Sequence, residues 1–142
     1  MEQRPVSPTT KAPATTFTGD VYLNPIYRGE EPSRMIVILV RFTPGARTNW
    51  HSHAVGQTLH LTDGIGLVAT RDGTLIQMRP GDTIYAPPGE EHWHGATADN
   101  MMCHLAMLEG TTDGDGTTWL EPVTGEQYAT ANKQPHPADD HR

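Results

Sequence analysis

Five of the eight histidines in this 142-residue chain lie in or beside two short segments, NWHSHAVGQT and GDTIYAPPGEEHWHGA. They are His51, His53, His60, His92 and His94. On a β-strand, the spacing of His51 and His53 places both imidazoles on one face about 7 Å apart, where they can converge on one ion. Gln57 shares that parity, and His92 follows a turn, a strand and a Pro-Pro-Gly corner that can return it to the same point. Three imidazole nitrogens and an amide oxygen, without a thiolate, suit a divalent ion such as Zn, Mn, Fe(II), Co or Ni.

Composition leaves histidine as the carrier of any chemistry. The one cysteine, Cys103, excludes an internal disulfide and any zinc site that needs two or four thiolates. Lys11 and Lys133 lie in segments expected to be tails, so a Schiff-base mechanism has no candidate lysine. The three serines lie outside any GxSxG pattern, which argues against a serine nucleophile.

Charge and hydropathy point to a soluble protein that binds neither nucleic acid nor a membrane. The net charge is −7 and there is no basic cluster, which argues against nucleic-acid binding. The longest apolar run, Met35–Val40, is far shorter than the roughly 20 residues of a membrane helix. The N-terminal segment lacks the apolar centre of a secretory signal, so we expect a cytoplasmic protein.

The chain is long enough for one domain with one core. Residues 1–16 are rich in Pro and Thr without periodicity and are predicted to form a disordered arm. Residues 129–142 have a similar composition and are predicted to form a flexible tail. The domain is therefore expected at residues 17–128, with no internal repeat and no convincing amphipathic helix.

The central segment contains short strand-like runs separated by turn signals. MIVILVRF, residues 35–42, is apolar on both parities, as expected for a strand packed on both faces. Asp72-Gly73 lies between two such runs and predicts a two-residue hairpin turn. In NMMCHLAMLEG, alternate residues from Met102 to Leu108 share one face with His104. Consecutive runs without crossover helices predict an all-β fold, an antiparallel sandwich or closed barrel.

These segments resemble the two motifs of the cupin family, G(X)5HXH(X)3–4E(X)6G and G(X)5PXG(X)2H(X)3N. The residues that match the first motif are Gly45, His51, His53, Gln57 and Gly64, with Gln57 in place of Glu. Those that match the second are Gly81, Pro87, Gly89 and His92, with Ala96 in place of the final Asn. The resemblance implies a jelly-roll β-barrel with the metal inside, and a homodimer formed through edge strands.

A closer likeness is to the small manganese cupins that act as hydroxynitrile lyases, across roughly residues 17–128. It implies metal ligands at His51, His53, Gln57 and His92, with His104 beside the metal as an acid/base. The position four residues beyond that histidine is polar in those lyases and is Leu108 here. With Ile38 and Val40 as expected wall residues, this difference predicts a more apolar cavity and a larger substrate.

A second likeness is to the cupin-type cyclases of aromatic polyketide pathways. Eight arginines against two lysines are typical of a GC-rich bacterial genome, where such pathways are common. If the chain is a cyclase, His104 is a fourth histidine ligand and Gln57 only adjoins the metal. His104 and Gln57 are thus the two candidate catalytic residues, and which of them completes the ligand set stays open.

The remaining predictions concern the surroundings of the metal. One divalent ion is expected, with Zn or Mn favoured over Fe. His94 is predicted to form a hydrogen bond near the site rather than to bind the metal, and His60 to lie on the outer face. The residues expected to line the substrate pocket are Ile38, Val40, Leu59, Met102 and Leu108.

The apolar wall favours an aldol-type cyclisation of an aromatic polyketide, as in antibiotic-type biosynthesis. The first alternative is a hydroxynitrile lyase that cleaves cyanohydrins to aldehyde and cyanide. Both reactions make or break a C–C bond beside an oxygen that a Lewis acid polarises, on a small hydrophobic carbonyl substrate. An iron-dependent dioxygenase and a non-catalytic ligand-binding cupin remain as further alternatives.

Overall fold

A computed structural model describes residues 1–134. Residues 135–142, which hold His136, His141 and most of the predicted tail, lie outside the described residues. The elements in chain order are β1 (Thr10–Lys11), β2 (Phe17–Thr18), β3 (Val21–Arg28), β4 (Met35–Phe42), β5 (Arg47–Thr48), β6 (His51–His53), β7 (Gln57–Gly64), β8 (Gly66–Thr70), β9 (Leu75–Met78), β10 (Thr83–Ala86), β11 (His92–Ala96), β12 (Met102–Glu109), β13 (Thr117–Trp119) and α1 (Gly125–Lys133).

The strands form two sheets in which every pairing is antiparallel. The first sheet has the order β1-β3-β4-β12-β7-β10. The second has the order β13-β6-β11-β5-β2, with β8 on the other edge of β11 and β9 beside β8. The predicted antiparallel jelly-roll of the cupin type is therefore confirmed.

The buried apolar side chains form two clusters. The larger fills the space between them and includes Phe42 from β4, Leu59 and Leu61 from β7, and Met102 from β12. The smaller lies where α1 covers the outer side of the second sheet and contains Trp50, Leu67, Trp93, Val123, Tyr128 and Ala131. Burial of these apolar side chains is the main contribution to the stability of the fold.

The sequence contains no convincing amphipathic helix, yet the structure has one short helix near its C-terminal end. Helix α1 begins after a capping box, in which Thr124 Oγ1 accepts a hydrogen bond from Gln127 N and Gln127 Oε1 accepts one from Thr124 N. Only Tyr128 and Ala131 are buried along its nine residues, which is too few to establish a helical period in the sequence. Tertiary packing on Trp93 stabilises the helix instead.

The ends of the described elements also differ from the predicted domain limits. Helix α1 continues to Lys133, across the predicted boundary at residue 129. At the other end, β1 pairs with β3 within the predicted arm, and Lys11 forms an ion pair with Asp20 at 2.9 Å. Composition alone does not reveal this two-residue edge strand, because the residues that pair with it are distant in sequence.

Within residues 1–134, no helix is long and apolar enough to span a membrane.

Replacing either of two motif glycines should destabilise the fold, but by different amounts. Gly45 and Gly64 both have a positive φ, +86° and +81°. A Cβ at Gly45 would meet nothing within 4 Å, whereas one at Gly64 would overlap the Met101 carbonyl oxygen. Gly45→Ala should therefore lose about 1–2 kcal/mol of unfolding free energy from backbone strain alone. Gly64→Ala should lose ~1–3 kcal/mol more, because the backbone of Met101 must also move. Urea denaturation of both variants checks this, and equal losses would contradict it.

Candidate metal centre

Three imidazoles from adjacent strands of the second sheet meet inside the barrel. His51 on β6 pairs in register with His92 on β11, and His53 lies two residues further along β6 on the same face. One ring nitrogen from each histidine lies within 4.8 Å of the other two. All three side chains are buried, at 1%, 5% and 1% exposure. The predicted convergence of these histidines is thus present in the structure.

Each of the three rings is held by a hydrogen bond at Nδ1. His51 Nδ1 donates to the carbonyl oxygen of Asn49 at 2.8 Å, and His92 Nδ1 to that of Glu90 at 3.0 Å. His53 Nδ1 lies 3.0 Å from Thr117 Oγ1. A carbonyl oxygen only accepts, so His51 and His92 carry their protons on Nδ1 and leave Nε2 with a free lone pair. This arrangement fixes both tautomer and ring orientation in the way that metal-binding histidines require.

Gln57 reaches the same point from the opposite sheet. The sequence parity with His51 and His53 is not the reason, because the chain turns at Gly56 and Gln57 begins β7 in the first sheet. Gln57 Oε1 lies 3.4 Å from His92 Nε2. An amide oxygen and an unprotonated nitrogen are both acceptors, so they are stable neighbours only with a cation or a proton between them.

The donor set fits a divalent metal ion. His53 Nε2 is buried and has no hydrogen-bond partner among the described residues, which is costly unless another group uses its lone pair. Burial lowers the pKa of all three histidines: that of His53 falls to about 4 and that of His51 well below its usual value, with neighbouring His92 adding to both effects. The rings are therefore neutral at physiological pH, as metal ligands must be. His51, His53, His92 and Gln57 would hold the ion.

His94 and His104 form a separate buried pair beside these ligands. His94 shares the inner face of β11 with His92, and its Nδ1 lies 3.0 Å from Nε2 of His104 on β12. His94 thus forms a hydrogen bond with His104, and its predicted role beside the metal stays a prediction. His104 is fully buried, is not part of the three-histidine group, and packs against Phe42 with ring centroids 5.3 Å apart. Its predicted roles as ligand or acid/base stay predictions.

A cavity of about 260 Å³ opens beside the metal centre. Its polar end is formed by His51, His53, Gln57 and His94, whereas His92 and His104 do not line it. Of the predicted pocket residues, Ile38, Val40 and Leu108 line the cavity. Leu59 and Met102 do not: each is about 1% exposed or less and belongs to the core between the sheets. Alternation along a strand identifies the inner face but not how far the cavity extends along it.

Several cavity residues were not predicted from the sequence. Trp119 on β13 pairs in register with His51, and its ring lies 4.7 Å from that imidazole and 5.6 Å from Phe17. Arg28 and Asp115 also line the cavity. Trp119 lies within residues 17–128, the range of the resemblance to the lyases, but belongs to neither of the two histidine motifs. Phe17 and Arg28 have no motif or spacing that marks them.

An ionic network on the outer face supports the segments that deliver two of the ligands. Arg71 stacks on Trp50, which precedes His51, with its guanidinium 4.0 Å from the ring centroid. It also donates to Glu91, which precedes His92, at 2.9 Å and to both carboxylate oxygens of Glu121. These groups are partly exposed, so each ion pair is worth little alone, but one side chain contacts three segments around the site.

Comparison with known proteins decides the family. The cupin domain model matches residues 38–108, half of the chain, and this range holds His51, His53, Gln57 and His92. The chain belongs to the cupin family. It is 44% identical over 118 residues to an (R)-mandelonitrile lyase from Granulicella tundricola, covering 83% of this chain and 89% of that protein. It is 32% identical over 107 residues to an acireductone dioxygenase from Rhodopseudomonas palustris, covering 69% of this chain and 62% of that protein.

Solved structures agree with this assignment. A cupin-like protein from Thermotoga maritima has a TM-score of 0.81 and 31% identity, and the match covers 95% of this chain and all of that one. The polyketide cyclase RemF from Streptomyces resistomycificus has a TM-score of 0.60 at 16% identity, covering 76% of this cupin and 75% of the cyclase. At that identity the second likeness concerns the fold alone.

Removing one of the three histidines should weaken metal binding, whereas removing a histidine outside the site should not. We expect His53→Ala to bind Mn²⁺ or Zn²⁺ at least about tenfold more weakly than wild type, because the centre loses one of its three imidazoles. The matched control is His60→Ala, since His60 is half-buried and contacts Thr83 on the outer face. Titration of metal-free protein measures both, and unchanged affinity in the first variant would exclude this centre.

The buried histidines should make the metal-free protein sensitive to acid. Burial lowers the pKa of His104 to about 4 and that of His94 well below its usual value, as it does for the three ligands. The unfolded chain therefore takes up protons first, near pH 6.5, and unfolding free energy falls as the pH decreases from about 6.5 to 4. His104→Gln should reduce this slope by up to ~1.4 kcal/mol per pH unit. Chemical denaturation across this range tests the prediction, and a stability independent of pH would contradict it.

Proposed function

We propose that this cupin is a metal-dependent hydroxynitrile lyase that cleaves small cyanohydrins to an aldehyde and hydrogen cyanide. The observation that carries the proposal is the 44% identity to a mandelonitrile lyase over nearly the whole of both chains. The geometry supports it in two ways. The three-histidine group faces a cavity, and His94, which is not part of that group, lines the cavity beside it.

The size of the cavity favours a small substrate over a polyketide. Pockets for drug-sized ligands measure roughly 300–1,000 Å³, and this cavity measures about 260 Å³. Ile38, Val40 and Leu108 were expected to make the cavity apolar and suited to a larger molecule; they do line it, but its volume favours a small one. The likeness to a polyketide cyclase is limited to the fold, so cyclisation of a polyketide is not our preferred function.

A bound divalent ion supplies a Lewis acid at the polar end of the cavity and so acidifies a substrate hydroxyl placed there. His51, His53 and Gln57 would hold the ion and line the cavity, so they would set where that hydroxyl lies. The apolar walls exclude water and hold the hydrocarbon part of the substrate. These residues therefore bind and orient the cyanohydrin without any redox group.

His94 is the residue we propose to move the proton. Its Nε2 is buried and without a partner among the described residues, while its Nδ1 is engaged by His104. With Nδ1–H donated to His104 Nε2, the lone pair of His94 Nε2 accepts the hydroxyl proton of the cyanohydrin. The C–CN bond then breaks, its electron pair leaves with cyanide, and the C–O bond becomes a carbonyl. The same proton passes to cyanide, which leaves as hydrogen cyanide and restores neutral His94.

The test is cyanide release from mandelonitrile by protein loaded with Mn²⁺, Zn²⁺ or Fe²⁺. We expect His94→Ala to retain the ion but lose about 10²–10⁴ of the rate, the usual contribution of general acid–base catalysis. His104→Gln should lose less, because it removes only the partner that orients His94. His60→Ala should release cyanide at the wild-type rate. Loaded protein that binds metal and releases no cyanide would refute the proposal.

An iron-dependent dioxygenase is the second candidate, favoured by the 32% identity to an acireductone dioxygenase. The donor set of imidazoles and one oxygen accepts Fe(II) as well as Zn or Mn. Oxygen consumption by iron-loaded protein with a dihydroxy-ketone substrate, and none with mandelonitrile, would select this function over the lyase.

A further inference from the structure

Four cavity residues lie in one row across the first sheet. Gln57 on β7 pairs with Leu108 on β12, Leu108 pairs with Ile36 on β4, and Ile36 pairs with Arg28 on β3. All four line the same cavity. The cavity therefore runs across the strands, from an amide at the metal centre, past two aliphatic side chains, to a guanidinium.

The length of this row limits what can bridge it. Neighbouring strands are about 4.8 Å apart, so three steps place the backbones of Gln57 and Arg28 roughly 14 Å from each other. Both side chains enter the cavity from the ends of the row, which leaves space for one small apolar group between them. A molecule that places an oxygen at the metal centre can thus reach Arg28 with its opposite end.

Arg28 has no counter-ion of its own among residues 1–134. No described carboxylate forms an ion pair or hydrogen bond with it. Its neighbour Arg34, by contrast, pairs with Glu31 at 2.8 Å. The other charged residue of the cavity, Asp115, accepts a hydrogen bond from Thr117 N at 2.9 Å and lies near His53. An unpaired guanidinium at the end of an apolar cavity favours a carboxylate, which it can bind through two parallel hydrogen bonds.

We infer that the substrate carries a carboxylate at the end remote from the reacting oxygen, and that Arg28 selects for it. The substrate class is then a carboxyl-substituted aromatic aldehyde and its cyanohydrin, rather than a neutral aryl aldehyde. This inference rests on the proposed lyase function. Ile36 and Leu108 contact the ring, the metal centre takes the hydroxyl, and Arg28 binds the carboxylate.

The experiment compares three substrates: the cyanohydrin of 4-formylbenzoate, that of its methyl ester, and mandelonitrile. Steady-state KM is measured for wild type, Arg28→Gln, Arg28→Lys and Arg34→Gln, each loaded with the same metal. We expect wild type to have a KM about fivefold lower for the carboxylate than for the ester, as one partly exposed ion pair provides. Arg28→Gln should lose this preference and Arg28→Lys should keep part of it. Arg34→Gln makes the same change of charge nearby and should keep it fully.

A binding measurement separates failure of the inference from failure of the proposed function. Calorimetry with 4-formylbenzoate and benzaldehyde, without cyanide, reports affinity in the absence of turnover. If no cyanohydrin is cleaved but 4-formylbenzoate binds more tightly than benzaldehyde, and only with Arg28 present, the carboxylate site is supported and the lyase reaction is not. Equal KM values for acid and ester in wild type, or a preference unchanged in Arg28→Gln, would overturn the inference while leaving the lyase intact.

Discussion

The structure depends on a concentration of uncharged nitrogen lone pairs inside an apolar barrel. Three Nε2 atoms face one another because backbone and hydroxyl oxygens hold the opposite side of each ring. Such an arrangement is unfavourable without an ion, since buried acceptors lose water and gain nothing in exchange. A divalent cation at this point resolves the conflict and links the two sheets, through the histidines of one and Gln57 of the other.

The jelly-roll suits this task because short antiparallel strands bring distant segments into register. His51 and His92 are 41 positions apart in numbering, yet they are direct partners on adjacent strands. On the outer side of the same sheet, Trp93 anchors α1 and Trp50 receives Arg71, so the residue beside each of these ligands is fixed by packing. The ligands thus occupy rigid strands, and the cavity walls come from β4 and β12 of the facing sheet. In the proposed lyase, a rigid metal centre and a separate wall would allow substrate preference to change without changing the chemistry.

Much of the metal centre was predictable from the sequence, because it depends on the spacing of residues within short segments. His51 and His53 alternate on one strand, and the glycines that surround them correspond to turns with positive φ. The pairing of His94 with His104 was not predictable, because it depends on how β11 and β12 face each other across the barrel. The position of Arg28 in the cavity was not predictable for the same reason. Strand register places it beside Ile36, and a bulge between Pro25 and Tyr27 shifts that register. Helix α1 was missed because tertiary contacts, rather than its own periodicity, stabilise it.

The central claim is that His51, His53, His92 and Gln57 bind one divalent ion, and anomalous X-ray scattering from crystals of the metal-loaded protein tests it most directly. Data collected on either side of the absorption edge of the metal locate the ion independently of any assumption about its ligands. The account predicts one anomalous peak per chain, about 2.1 Å from the three Nε2 atoms and adjacent to the Gln57 amide oxygen. A peak elsewhere, or none between these side chains at full metal loading, would contradict it.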